Sequence, residues 1–333
     1  PLYVMAGSNK TDLRSNEASI KYFLMGAFAT GFLLFGIALI YGSTGSFDVH
    51  VINTFSVANP KDLMFVMGIM LMLVAMAFKV SLAPFHMWSP DVYQGAPSLI
   101  TAFMASVVKI AAFFAFFKVM NLAFAGSIKE WINILGVLVI ITLLLANAMG
   151  LAQTNAKRML AYSSVSHAGY LGLIFFGANS LSVYNLAFYL FAYSLATVGV
   201  FMTLIWVEKL KRETSFEAFK GLAKSEPLLA VVTAVSLLSM AGIPLTAGFV
   251  AKFNIFAQAM NGAAFLVLIA VLGSALSIAY YLKLIISMFF HTETTFKSSE
   301  KVSITYNITA VFIIVAILAI GIYPDLFKVQ FGL

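Results

Sequence analysis

The chain has 333 residues, 62% of them hydrophobic and only 10% charged, with a formal net charge of +7. That much apolar material exceeds what a soluble core needs, because a water-soluble fold must also clothe its surface. There is no cysteine, which excludes cysteine-ligated iron–sulfur clusters, thiolate zinc and disulfides from this chain, and no glycine-rich nucleotide loop is present.

Apolar runs of about 20 residues or more recur, long enough to cross ~30 Å of hydrocarbon as helices. The short alternating segments of a β-barrel are missing. The expected fold is therefore all-α: one polytopic transmembrane bundle of about nine helices over 1–333. In chain order the runs are roughly 18–41, 63–93, 98–121, 131–151, 157–177, 183–208, 228–260, 263–290 and 303–323. The opening "PLYVMAG" has no initiator methionine and no signal-peptide layout. It reads as the end of an apolar segment already under way, so an upstream part is expected.

Taking the connections alternately as two sides, one side carries Lys10, Arg14, Lys157, Arg158, Lys209, Lys211, Arg212, Lys220, Lys224, Lys297 and Lys301. The other carries Lys61, Lys118, Lys129 and Lys328. The positive-inside rule makes the first side cytoplasmic and puts the C-terminus outside. Topology and anionic lipid then account for the net charge, and no nucleic-acid partner is needed. In the longest link, 208–227, Phe216 and Phe219 suggest a short amphipathic helix on the cytoplasmic face.

Five lysines fall inside runs: Lys21, Lys79, Lys109, Lys252 and Lys283. A lysine at the bilayer centre costs about 2.5–3.5 kcal/mol on translocon scales. Near a helix end the long side chain can snorkel to the headgroups, which is an equal reading for Lys21 and a slightly better one for Lys283. Lys109 and Lys79 lie at the midpoints of their runs, where snorkelling along a straight helix is hard. Lys252 lies eight residues past Pro244 in a run too long for one upright crossing.

Proline marks two of these runs, Pro84 in "KVSLAPF" and Pro244 in "MAGIPLTAGFVAKF". Each removes a backbone donor and breaks the helix, and the freed backbone groups must find side chains, water or another helix. Lys79 is followed 30 residues later by Lys109, and Lys252 is followed 31 residues later by Lys283. The two broken helices cross in opposite directions. That pattern is the signature of an inverted-repeat transporter with a hydrated cavity at mid-membrane.

The run from Lys157 contains "YSSVSHAGY", clustering Ser163, Ser164, Ser166 and His167. Serines most often glue helices together. His167 and His86 are balanced between proton relay and simple packing, while the four histidines (His50, His86, His167, His291) form no obvious ligand pair. No acidic residue lies well within a run; Asp62, Asp91, Glu130 and Asp325 sit at edges. Desolvation and neighbouring ammonium groups both favour the neutral form of a lysine, which suits proton transfer better than sodium binding.

Four segments carry a family resemblance: "SNEASIKYFLMGAFATGFLLFGIALIYG", "FKVSLAPFHMWSPDVYQGAP", "QTNAKRMLAYSSVSHAGYLG" and "SMAGIPLTAGFVAKF". Together they resemble the antiporter-like membrane subunits of bacterial NADH-quinone oxidoreductase, respiratory complex I. "PDVYQGAP" followed by Lys109 favours the subunit N branch over its L and M paralogues. The resemblance implies a fourteen-helix fold with two inverted repeats, of which this chain matches the last nine helices. Residues 1–121 would end the first repeat, 131–290 would form the second, and 303–333 would hold the C-terminal helix.

By the same resemblance, Lys79 and Lys252 match the broken-helix lysines of two half-channels, and Lys109 the lysine connecting them. Lys21 matches a lysine facing a glutamate on a preceding helix, upstream of Pro1. Lys283, His167 and His86 are candidates from the residues alone. The implied function is proton pumping in the bacterial inner membrane beside paralogous subunits and lipid. NADH, FMN, iron–sulfur clusters and quinone would belong to other subunits, with no cofactor in this chain. A charge change at the glutamate would alter the protonation of Lys21 and Lys79, then pass through Lys109 to Lys252. The alternatives are a subunit of a multisubunit sodium/proton antiporter and a helical scaffold with dry packing around its lysines.

Overall fold

A computed structural model describes residues 1–290 and 302–327. His291, Lys297, Lys301 and Lys328 lie outside the described residues. Asp62, one of the acids at the edges of the apolar runs, starts a helix, as do Asp12 and Asp48. Asp12 caps α2 (Leu13–Thr44), which follows the short α1 (Leu2–Ala6). Asp48 caps α3 (Val49–Ala58), and Asp62 caps α4 (Leu63–Val80) by accepting from Phe65 N at 2.9 Å. A side-chain oxygen at this position satisfies one of the amides that a helix start leaves unpaired.

The chain continues through α5 (Trp88–Gly95), α6 (Ser98–Phe103), a π-helical turn (Met104–Val108), α7 (Lys109–Lys118) and α8 (Ile128–Leu151). Then come α9 (Ala156–Gly172), α10 (Ser182–Lys211), α11 (Leu222–Ser225), α12 (Pro227–Ala241), α13 (Ala247–Phe290) and α14 (Ile304–Ile322). Seven helical segments are long and apolar enough to cross a membrane. The 44-residue α13 bends at Ala263, whose φ of −156° and ψ of 53° are not helical, and so supplies two crossings. The runs at 157–177 and 228–260 form α9 and the α12–α13 pair, so each of the nine apolar runs read from the sequence contains helix among the described residues.

Two local expectations change. The connection between α2 and α4 contains the helix α3, held against the chain before α8 by the Ser56–Ser127 hydroxyl contact at 3.1 Å. The link 208–227 forms a 3-10 turn (Phe216–Phe219) and the single turn of α11, not one amphipathic helix, because Gly221 takes the left-handed conformation between them. Phe219 is buried, as an apolar anchor should be.

Helix α9 is the axis of the bundle. Every residue from 156 to 172 except Arg158 is buried, although the segment is rich in serine, tyrosine and histidine. A helix enclosed on all sides while polar must satisfy its side chains from its neighbours. Those neighbours are α5, α8 and α13.

Candidate functional site

Both predicted breaks are present, and side chains from elsewhere bond several of the freed backbone groups. After Lys79, α4 ends at Val80 and Ser81 adopts a left-handed conformation. The Phe78 carbonyl accepts from Trp88 Nε1 at 3.0 Å, and Ala83 N donates to Thr142 Oγ1 at 2.8 Å. At the second break α12 ends at Ala241, with Gly242 and Leu245 at positive φ around Pro244. There Gly248 N donates to Ser239 Oγ at 3.0 Å. The Ala241 carbonyl accepts from Lys252 Nζ at 2.9 Å and from Ser274 Oγ at 3.1 Å. Side chains from other helices thus replace the missing helical bonds.

Lys252 and Lys109 are each about 95% buried. Lys252 also donates to Ser274 Oγ at 2.8 Å, and its ammonium lies 4.6 Å from the Tyr170 ring centre. Lys109 donates to the Ser164 carbonyl at 2.5 Å and hydroxyl at 2.6 Å, and lies 5.3 Å from the Tyr193 ring centre. Among the described residues neither has a carboxylate within ion-pair distance. Hydroxyls, carbonyls and aromatic faces surround these amines, and a desolvated cation–π contact is worth about 2 kcal/mol.

His167 lies between them. Its ring centre is 4.6 Å from that of Tyr193 and 5.7 Å from that of Tyr170, the two rings under the two lysines. Nδ1 meets the Tyr189 hydroxyl at 2.8 Å, and Nε2 the Tyr281 hydroxyl at 3.4 Å. Tyr281 in turn meets Ser163 Oγ at 2.5 Å. A cavity of about 10 Å³ lined by His167, Tyr189, Tyr193 and Ser239 adjoins the ring, roughly the volume one water needs. On the other side Asn147 Oδ1 accepts from Ser166 at 3.0 Å and from Tyr280 at 3.2 Å. Lys109, Tyr193, His167, Tyr170 and Lys252 therefore form one buried row.

The other candidates stand apart from that row. Lys79 is exposed toward a groove of about 400 Å³ between α2, α4 and α7, lined by small residues such as Gly26, Ala29, Ala75 and Ala111. Its depth in the run matches the sequence reading, but its amine faces out of the described bundle. Lys21 is half-exposed and pairs with Glu17 at 2.6 Å and Asp91 at 3.0 Å. Arg158 holds the other Asp91 oxygen at 2.8 Å. Lys283 donates to the Leu151 carbonyl at 2.5 Å, where it caps the end of α8. His86 is buried between α4 and α5, and its Nδ1 has no hydrogen-bond partner.

Sequence reasoning passes over Tyr170, Tyr193, Asn147 and the π-helical turn directly before Lys109. The first has a legible signal, since Ser163, His167 and Tyr170 share one helical face. A π turn, common at functional sites, has none in propensity. Lys157, counted with the cytoplasmic loops, is also buried.

The profile of the family described as "NADH:quinone oxidoreductase/Mrp antiporter, TM" matches residues 1–277. NADH-quinone oxidoreductase subunit N of Cytophaga hutchinsonii is 45% identical over 327 residues, covering 98% of this chain and 71% of the relative. That of Trichlorobacter lovleyi is 42% identical over 93% of this chain and 63% of the relative. A chain of respiratory complex I from Thermus thermophilus with bound aureothin superposes with a TM-score of 0.82 at 36% identity, covering 98% of this chain and 71% of that one. The chain thus spans roughly two thirds of the length of its relatives.

Proposed function

Since the chain belongs to the NADH-quinone oxidoreductase subunit N family, we propose that it moves protons across the bacterial inner membrane as part of complex I. The pathway starts at Lys79, outside the buried row, and continues along the row from Lys109 through His167 to Lys252. Lys21 stands at its cytoplasmic approach, and His86 and Lys283 are secondary sites. One observation carries this reading: Lys109 and Lys252 are buried with no carboxylate in ion-pair reach among the described residues, yet linked through Tyr193, His167 and Tyr170. An amine so placed holds or releases a proton at modest cost, and a row of them passes charge without a net ion bound. Lys109 closes no helix end, and for a scaffold a hydrophobic residue could replace its buried ammonium.

The Lys79 groove is where a counter-charge has to come from, and the resemblance supplies a glutamate on a preceding helix. A change of charge there alters Lys79 and Lys21, then Lys109, then Lys252. Residues 1–121 form the end of one repeat, 131–290 the inverted second repeat, and 303–333 the last helix. NADH, FMN, iron–sulfur clusters and quinone sit in other subunits, and paralogous antiporter-like subunits and lipid are the neighbours in the membrane. The sodium/proton antiporter reading remains the second one, because the family description covers both. The identity to subunit N relatives favours complex I.

The test is Lys109→Ala in the assembled complex, with proton uptake by inside-out vesicles followed against NADH oxidation. A fall of fivefold or more in pumping with normal assembly is expected. Unchanged pumping stoichiometry would refute the pathway.

A further inference from the structure

At the cytoplasmic end of α9 lies a charged cluster outside the row. Lys157 is only 2% exposed. Its Nζ donates to the Ala96 carbonyl at 2.5 Å and lies 3.5 Å from Glu208 Oε1. Glu208, near the end of α10, accepts a short hydrogen bond from Ser98 through its other oxygen. Ser98 is the first residue of α6, on the segment that leads to Lys109. The carboxylate also borders a cleft of about 530 Å³, so it touches both water and this helix.

Two helix faces run inward from this point. On one, Ser98, Thr101, Ala105 and Lys109 are all buried; on the other, Lys157, Ala161 and Ser164 are. They meet again at the Lys109–Ser164 contacts. Eleven residues separate Ser98 from Lys109, a rise of roughly 16 Å. Polar groups occupy the interval: Thr101 Oγ1 donates to the Tyr93 carbonyl at 2.9 Å, and the buried Tyr93 phenol faces Ser164.

From this geometry we infer that Glu208 is a proton-uptake residue that loads Lys109 from the cytoplasm through Ser98, Tyr93 and Ser164. This rests on the reading of Lys109 as a proton carrier and gives it a source separate from the Lys21–Asp91 cleft. A proton from cleft water binds Glu208 Oε2, and the Ser98 hydroxyl turns to accept from it. The proton then passes along hydroxyls and bridging water to neutral Lys109 Nζ. Glu208 returns to carboxylate, so one proton moves and no bond other than O–H and N–H changes. Lys157 is the fixed cation that keeps the emptied carboxylate in its place. The groups facing Glu208 are Lys157 on α9, Ser98 on α6, Asp12 and Arg14 at the start of α2, and Arg212 and Glu213 after α10.

The experiment compares Glu208→Gln, Glu208→Asp and Glu213→Gln in the full-length subunit within intact complex I. Proton pumping in inside-out vesicles is measured from pH 6 to pH 8.5, with NADH:ferricyanide activity as the assembly control. Glu208→Gln keeps an acceptor for Ser98 but cannot carry a proton. It should lower pumping at least fivefold, with the deficit deepening as pH rises because free hydronium becomes scarce. Glu208→Asp should restore half or more, and Glu213→Gln should stay within twofold. A deficit equal at every pH would mean a structural role and overturn the inference. Normal pumping in Glu208→Gln beside a defective Lys109→Ala would overturn the uptake route and leave the row intact. Normal pumping in both would overturn the row itself, and the inference with it. Should Glu208→Gln fail to assemble, Ser98→Ala cuts the same link while leaving the Glu208–Lys157 pair. A pH-steepened loss restored by Ser98→Thr supports the route, and unchanged pumping rejects it.

Discussion

Lys252 Nζ lies 2.9 Å from the carbonyl of Ala241, the last residue of α12, so the amine on one half of the broken helix closes the end of the other. The same nitrogen is in the buried row. Structural and proton-carrying roles therefore meet in one atom, and substitutions can separate them. Lys252→Arg retains donors for the Ala241 carbonyl but never releases its proton. It should assemble normally and pump at a tenth of the native rate or less. Lys252→Ala should lose pumping equally and also lower thermal stability, since buried carbonyls tolerate lost donors poorly. Proton uptake in vesicles and the unfolding midpoint of the purified complex separate the two.

His167 is expected to matter through its nitrogens, because its ring lies between Tyr193 and Tyr170. His167→Phe keeps the aromatic volume and should slow pumping severalfold. Tyr193→Phe keeps the ring under Lys109 and should have a smaller effect. Equal, native pumping in both variants would show that the row is not connected through this position.

Thr142→Val tests the first break. The hydroxyl accepts from Ala83 N at 2.8 Å, and valine preserves shape while stranding that amide. The expected loss is about 1–3 kcal/mol of unfolding free energy, read from denaturant titration of the detergent-solubilised subunit. No loss would mean that another acceptor serves the break.

Gly248→Ala tests the second. A Cβ at this position would lie 1.8 Å from the Ser239 carbonyl oxygen, a backbone atom that cannot turn aside. Because Gly248 N also bonds Ser239 Oγ, the start of α13 is pinned there. The variant should fail to accumulate in the membrane, as an immunoblot would report. Normal accumulation would mean that the two half-helices do not pack this closely.

Sequence alone marked out the apolar runs, the two proline breaks and the positions of Lys79, Lys109 and Lys252 within those runs. Each follows from the transfer cost of side chains and backbone into hydrocarbon, a property carried by residues in sequence order. Only the tertiary structure decided what surrounds each amine. It set Tyr193, His167 and Tyr170 between Lys109 and Lys252, turned Lys79 toward a groove, placed Lys283 on the end of α8 and buried Lys157 beside Glu208. Those relationships join residues as far apart as 132 positions. They depend on how helices rotate and pack against one another, which no local pattern of polarity records.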